Sequence, residues 1–246
     1  MNGLTALRAL GPVDVKSVWR DPLLRWFALL MPGMALAFRF LMPPLYVSLS
    51  TWVGHDLTPY YVPLVSFVLL MMAPALTGIV IGFLLLDQRD DGTLNALQVS
   101  PLGLAGYLAY RLAVPMLVAF ATTIVMFPLA GMTGILWGPL ILAALTGAPL
   151  AVLVALFLGA FASNKVQGFA LMKASGVVEW PPMFAYFVPM PWQLLFGLSP
   201  VYWPGKLYWS ALAGDASYWI WLPLGLAWQA LLIWLLLRRY HRVMRR

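Results

Sequence analysis

Apolar residues in this chain fall into long runs that short polar or proline-rich stretches separate. A helix needs about 20 mostly apolar residues to cross the roughly 30 Å hydrocarbon core of a membrane. The pattern predicts six spanning helices: Leu23–Met42, Tyr61–Leu86, Leu104–Leu129, Pro139–Ala162, Val166–Phe187 and Tyr218–Leu237. The fifth is the least regular, because the adjacent prolines Pro181 and Pro182 break a helix.

Two other segments have their own character. Residues 1–22 alternate apolar and charged side chains, which predicts a helix along the cytoplasmic interface of the membrane. Gly11-Pro12 should break this helix, and Asp14 can cap a second piece; a disordered basic tail is the alternative. Residues 188–217 are rich in Pro, Trp and Tyr, and we expect two short re-entrant helices there, at the outer face. Residues 23–246 would then form one transmembrane domain.

Composition supports an all-α integral membrane protein. Apolar residues make up 63% of the chain and charged residues only 9%, whereas soluble domains average about 25% charged residues. Too few charged side chains are present to cover a water-soluble fold. The chain has no cysteine, which excludes disulfides, cysteine-ligated metals and thiol catalysis. We predict no catalytic residues and no metal site.

The net charge of +7 reflects membrane orientation rather than nucleic-acid binding. With six crossings, one side of the membrane holds nearly all of the basic residues, and the positive-inside rule makes that side the cytoplasm. Both termini are then cytoplasmic, and no cleaved signal peptide is evident. The basic residues on this side are Arg8, Lys16, Arg20, Arg25, Arg89, Arg111, Lys165, Lys173 and five arginines from Arg238 onward.

A polar loop between the second and third predicted spans, residues 87–102, differs from an ordinary solvated turn. It opens with an acidic and basic cluster and continues with a short apolar set, Leu94, Leu97 and Val99. Ser100-Pro101 is typical of an N-cap followed by proline at the first helical position. We predict a short helix parallel to the membrane, which offers a surface for a cytoplasmic partner.

This loop resembles the signature loop of ABC-2 type transporter permeases. The residues that match that signature are Gly92, Thr93, Leu94, Ala96, Leu97, Val99, Ser100 and Pro101. Family members often carry glutamate where this chain has Asp87, Asp90 and Asp91, and an acidic residue where it has Asn95. Residues 164–170 and 196–203 also resemble segments of the family.

The resemblance implies a coupling helix that docks on a separate ATPase subunit. Its residues would be the eight matching positions together with Asp87, Arg89, Asp90 and Asp91. It also implies a second permease chain, identical or not, and a bacterial cytoplasmic membrane. The chain contains no G-x-x-x-x-G-K-[ST] motif, so ATP and Mg²⁺ would bind to the partner.

Two ionisable residues fall within predicted spans and indicate a substrate pathway, because charges at membrane depth are costly. Arg39 and Glu179 lie at similar predicted depths, so we hypothesise that they pair, within one chain or across a dimer, or that they share one polar cavity. Arg39 could instead reach the outer interface. Trp180, Phe184 and Tyr186 follow Glu179, and aromatic rings beside an acid suit an amphipathic substrate, including a cationic one. These aromatic residues could equally face lipid.

Gly78 and Gly82 form a small-x-x-x-small pattern in the second span. Such a pattern allows close helix packing, either within one subunit or at a dimer seam.

The function that these features favour is the permease subunit of an ATP-driven exporter of a drug, lipid or peptide. A proton-coupled transporter that uses Glu179 is one alternative. An intramembrane enzyme is another, but His55 and His241 both lie outside the predicted spans.

Overall fold

The computed structural model describes residues 3–90 and 103–244, and this part of the chain contains helices and no strand. The α-helices are α1 Gly3–Arg20, α2 Pro22–Val53, α3 Thr58–Asp90, α4 Gly103–Leu129, α5 Trp137–Gly147, α6 Pro149–Phe161, α7 Lys165–Glu179, α8 Tyr202–Leu212 and α9 Trp221–Met244. Short 3₁₀ helices cover Pro181–Phe187, Trp192–Leu198 and Tyr218–Ile220.

Five stretches of the described helices are long and apolar enough to cross a membrane: Pro22–Val53, Thr58–Arg89, Ala109–Leu129, Trp137–Phe161 and Tyr218–Tyr240. They correspond to the first, second, third, fourth and sixth predicted spans. The chain is therefore an all-helical, multi-pass membrane protein over the part that the structure describes.

The fifth predicted span is not one continuous helix. Helix α7 has 15 residues and ends at Glu179, where the N–H of Trp180 still donates to the carbonyl of Gly176. Pro181 and Pro182 cannot donate, so the chain continues as a 3₁₀ helix to Phe187. The break falls where the adjacent prolines predicted it.

The first span is longer than its predicted range. Asp21 caps α2 by accepting a hydrogen bond from the N–H of Leu23 at 2.8 Å, and the helix continues past Met42 to Val53. It ends at Gly54, whose φ of 71° is left-handed. Pro43 and Pro44 lie inside this helix, just after the end of the predicted span at Met42.

Helix α1 also differs from its prediction. It runs from Gly3 to Arg20 without a break, although Pro12 lies inside it. Asp14 does not cap a second piece, because its carboxylate is buried against α4 instead. A proline inside a helix removes one backbone hydrogen bond, and α1 continues past Pro12 without it.

The core forms around α3 and the α5–α6 pair, whereas α2 and α9 lie at the periphery with mostly exposed apolar side chains. Gly78 and Gly82 face α6. A methyl group at Gly78 would lie 2.5 Å from the carbonyl oxygen of Ala151, and one at Gly82 would lie 2.7 Å from a methyl of Leu158. The small-residue pattern therefore serves packing within the subunit.

One end of the bundle gathers the ends of several helices, and we call it the loop end because residues 91–102 connect there. Arg89 at the end of α3 donates to the carbonyls of Ala162 and Ser163, at 2.9 and 2.7 Å, just beyond α6. Lys165 at the start of α7 contacts Asp21, which precedes α2.

The opposite end, which we call the far end, is aromatic. The ring of Tyr60 at the start of α3 lies 5.4 Å from that of Phe187. Tyr186 lies 5.3 Å from Trp209 of α8, whose indole N–H donates to the carbonyl of Pro63 at 2.8 Å. The segment 165–187 thus begins at the loop end and finishes at the far end.

Candidate functional site at the loop end

A buried polar network stands at the loop end, centred on the guanidinium of Arg111 from α4. Arg111 is 6% exposed and Asp14 is 8% exposed. Nη1 of Arg111 donates to Oδ2 of Asp14 at 2.7 Å, and Nη2 of Arg111 donates to Oδ1 at 3.1 Å, which makes the pair bidentate. The same Nη2 donates to Oε1 of Gln88 at 2.7 Å. A planar fork of donors makes arginine suited to this geometry.

Two tyrosines of α4 belong to the same network, in which Nε of Arg111 has no hydrogen-bond partner among the described residues. The Tyr107 hydroxyl donates to Oε1 of Gln88 at 2.9 Å, and the Tyr110 hydroxyl donates to Oδ2 of Asp14 at 2.8 Å. The guanidinium carbon of Arg111 lies 5.2 and 5.4 Å from the two ring centroids. Tyr110 and Arg111 lie three and four residues after Tyr107, spacings that place each of them beside Tyr107 on the helix surface.

The network joins three segments: α1 through Asp14, the last turn of α3 through Gln88, and the first turns of α4 through Arg111. Residues 91–102 connect α3 to α4, so the network holds the two stems of this connection together. Removing one partner from a buried pair leaves an uncompensated charge, which costs several kcal/mol. The network therefore holds the two stems and α1 together.

A second, more exposed cluster lies nearby. Lys165 contacts Asp21 at 2.6 Å and Asp87 at 2.9 Å. Burial alone would raise the pKa of Asp21, but hydrogen bonds from Lys165 and from the N–H groups of Leu24 and Leu23 bring that pKa below its usual value. Burial would lower the pKa of Lys165, but its two carboxylate partners raise it above its usual value.

The structure places only the first of the predicted coupling residues. Asp87 pairs with Lys165, and Arg89 binds carbonyls of the chain itself, so both hold the stem of the loop. Asp90 is the last residue of α3. The other predicted residues lie outside the described part of the chain: Asp91, Gly92, Thr93, Leu94, Ala96, Leu97, Val99, Ser100 and Pro101.

The network as a whole is not evident from the sequence, which predicts Arg111 only as a cytoplasmic flanking charge and Asp14 only as a helix cap. The available signal was the position of Arg111, eight residues inside α4, where an arginine needs a buried partner.

The predicted pathway residues are dispersed. Arg39 is exposed; its side chain packs over Gly131, and its guanidinium lies 5.8 Å from the ring of Phe40. Glu179 is half-buried and lines a cavity between α6, α7 and α9. Within the residues that the structure describes, no ion pair joins these two side chains. Pairing across a dimer stays a prediction.

The aromatic residues after Glu179 do not share its cavity. Trp180 and Phe184 are exposed, at 41% and 58%, and Tyr186 belongs to the aromatic cluster at the far end. The rings that the sequence predicted beside the acid therefore point to other parts of the molecule. No group of three or more metal-ligating side chains occurs in residues 3–90 and 103–244.

Comparison with known proteins places the chain in a family. A family profile described as "Fluoroquinolones export permease protein Rv2686c-like" matches residues 14–237. The curated fluoroquinolones export permease proteins Rv2686c and MT2760, from two Mycobacterium tuberculosis strains (ATCC 25618 / H37Rv and CDC 1551 / Oshkosh), are each 32% identical over 244 residues, which cover 97% of this chain and 95% of the relative. No solved structure matches significantly. This chain therefore belongs to the Rv2686c-like family of export permeases.

Proposed function

We propose that this chain is the transmembrane subunit of an ATP-driven exporter of the ABC-2 type. It moves a lipophilic or amphipathic compound out of the cell, together with a separate ATPase subunit and a second permease chain. The observation that carries the proposal is the buried network of Asp14, Gln88, Tyr107, Tyr110 and Arg111. It ties both stems of the loop that resembles the ABC-2 signature to α1.

A rigid stem is what a coupling loop requires. A partner that grips residues 91–102 can move the bundle only if the force reaches α3 and α4 together, and the Arg111 contacts provide that connection. The chain has no phosphate-binding loop, so ATP and Mg²⁺ bind to the partner. ATP binding shifts the permease only by its different affinity for the inward and outward states.

Six crossings fit the contacts of the helices better than five. Helix α7 spans about 22 Å and the 3₁₀ helix to Phe187 adds about 14 Å, enough to cross a core of about 30 Å. The contacts of Lys165 at the loop end and of Phe187 at the far end support this route. Both termini then share the basic, cytoplasmic side of a bacterial inner membrane. Helix α1 lies along its interface.

A fluoroquinolone is the first compound to test, because the curated relatives are named for exporting this class. Drug accumulation in cells with and without the permease gives the first readout. The first candidate for the partner is the ATPase whose gene lies nearest to the permease gene.

The coupling role is tested with Gly92→Asp and Leu97→Asp in permease co-purified with that ATPase and reconstituted in lipid. We expect both variants to insert normally and to lose substrate-stimulated ATP hydrolysis, because a new charge disrupts an apolar docking surface. Leu136→Asp is the matched control, since Leu136 is 37% exposed in the turn between α4 and α5. Unchanged stimulation in both variants would contradict the proposal. Export that needs no ATPase but collapses with the proton gradient would favour a secondary transporter that uses Glu179.

A further inference from the structure

The cavity beside Glu179 is a lateral site that the coupling role does not use. Its volume is about 420 Å³, within the range of small-molecule pockets, and its walls come from α6, α7, α9 and Pro200. The lining is aliphatic except for Phe157, Ser175 and Glu179, and Glu179 is the one ionisable side chain in it.

The position of Glu179 makes its charge unusual. It lies fourteen residues after Lys165, which corresponds to about 21 Å along a helix from the loop end. Among the ion pairs of the described residues, none involves Glu179. An acidic side chain at this depth is costly to insert into a membrane and marks a functional site by default.

The cavity is open to the surface of the bundle. Val178 on α7 and Leu235 on α9 line it and are 54% and 49% exposed. Both side chains lie on apolar helix surfaces that face outward, where the hydrocarbon core would surround them. A compound already dissolved in the membrane can therefore enter from the side.

We propose that this cavity binds a lipophilic cation, whose positive group lies against Glu179 and whose apolar body fills the space between α6 and α9. Charge complementarity selects the cation, because an opposite charge offsets the cost of an acid that has no ion-pair partner among the described residues and lies in an apolar wall. The ring of Phe157 can add a cation–π contact. Binding itself does not depend on the proposed function; only the naming of this cation as cargo rests on it.

The test compares two ions of nearly equal size and shape, tetraphenylphosphonium and tetraphenylborate. Each is equilibrated with the full-length permease in nanodiscs of a zwitterionic lipid, without ATPase, and binding to empty nanodiscs is subtracted. We expect saturable binding of the cation, with Glu179→Gln weakening it by about tenfold or more while leaving binding of the anion unchanged or stronger.

Three further variants separate the site from general effects. Glu179→Asp keeps the charge and should retain cation binding. Ala174→Trp fills the cavity, which Ala174 lines, and should abolish binding. Asp215→Asn removes an equal charge from an exposed turn outside the cavity and should change nothing. The thermal midpoint of each variant verifies folding.

Unchanged cation affinity in Glu179→Gln, or an equal loss in Asp215→Asn, would overturn the proposal. Absence of saturable binding in the wild type would overturn it as well, and would leave lipid as the occupant of the cavity. Because binding is measured on the permease alone, a failure here differs from a failure of ATPase coupling. Cation binding without ATP-driven export would uphold the site and contradict the proposed function.

Discussion

At the scale of single residues, the bidentate contact between Arg111 and Asp14 is the most consequential feature of the loop end. Both side chains are buried, and Gln88 and Tyr110 satisfy further hydrogen-bonding groups of the pair. In a low-dielectric surrounding such a network is rigid when complete and unstable when one member is lost.

Arg111→Ala should destabilise the protein by about 3–5 kcal/mol, because it leaves the Asp14 carboxylate buried without its cation. We expect a lower thermal midpoint in detergent and loss of substrate-stimulated ATP hydrolysis in the reconstituted complex. Arg25→Ala is the control, since Arg25 is an exposed basic residue near the same end. The double variant Asp14→Leu with Arg111→Leu should be more stable than Asp14→Leu alone or Arg111→Leu alone. Additive losses would argue against a coupled pair.

The cluster of Asp21, Asp87 and Lys165 predicts a defined pH dependence. The pKa of Asp21 lies below 3.8 and that of Lys165 above 10.5, so the ions contribute stability throughout the range between these values. The contribution falls as pH decreases through the lowered pKa of Asp21, and it falls again as pH rises through the raised pKa of Lys165.

The measurement is the difference in thermal midpoint between wild type and Lys165→Met. We expect a small, constant difference between about pH 5 and 9 that shrinks below about pH 4. The side chain of Lys165 is 35% exposed, so solvent screening keeps the contribution at about 1 kcal/mol or less. A difference that grows toward low pH would contradict the assignment.

At the scale of helices, the contact between α3 and α6 depends on missing side chains. Gly78 and Gly82 let the two backbones approach until no methyl group fits between them. Close approach of this kind increases dispersion contacts, which hold helices together where surrounding lipid provides no hydrophobic driving force.

Gly78→Ala should lower stability by about 1–3 kcal/mol, because a methyl group would lie 2.5 Å from the carbonyl oxygen of Ala151. Gly33→Ala is the matched control. Gly33 lies inside α2 with no atom within 4 Å of the added methyl, so alanine there should be neutral or stabilising by up to about 1 kcal/mol. Thermal unfolding in detergent measures both. Equal effects of the two variants would show that helix propensity, not packing, determines the change in stability.

Helix boundaries were predicted unevenly, and the reasons are physical. The limits of α3 and α4 lie close to those expected from Tyr61–Leu86 and Leu104–Leu129, because polar or turn-forming residues bound both apolar runs. The predicted end of the first span, Met42, lies eleven residues before the end of α2 at Val53. Adjacent prolines disfavour a helix locally, but α2 continues through Pro43 and Pro44.

At the scale of the whole molecule, the number of membrane crossings determines on which side of the membrane each loop lies. The chain has no cysteine, so single introduced cysteines can be labelled without background. Ser163 and Asp215 are both exposed, and the segment 165–187 lies between them.

Ser163→Cys should react with a membrane-impermeant maleimide only from the cytoplasmic side, and Asp215→Cys only from outside. His55→Cys, in the exposed turn between α2 and α3, is the control for outside labelling. Reaction of both test positions from the same side would show that the segment 165–187 does not cross.

Some residues of the candidate sites were evident from the sequence, whereas their partners became evident only from the structure. The acid at Glu179 and the polar loop at 87–102 were evident from residue type and position along the chain. The partners of Asp14 and Arg111 were not, because these residues lie 97 positions apart and only packing of α1 against α4 brings them together. Arg39 and Glu179 lie at similar predicted depths, but depth does not specify the helix face, and the two point to different neighbours.

The sequence by itself determined that this protein is a bundle of apolar helices long enough to cross a membrane, and it predicts basic residues on one side and an acid at membrane depth. These properties follow from the transfer free energy of each residue between water and lipid, which depends on residue type and local order. Tertiary structure decided which residues meet: the network that holds the two stems to α1, the glycine contact of α3 with α6, and the cavity around Glu179. Those arrangements depend on how helices rotate and pack against one another, and a one-dimensional pattern leaves that rotation open.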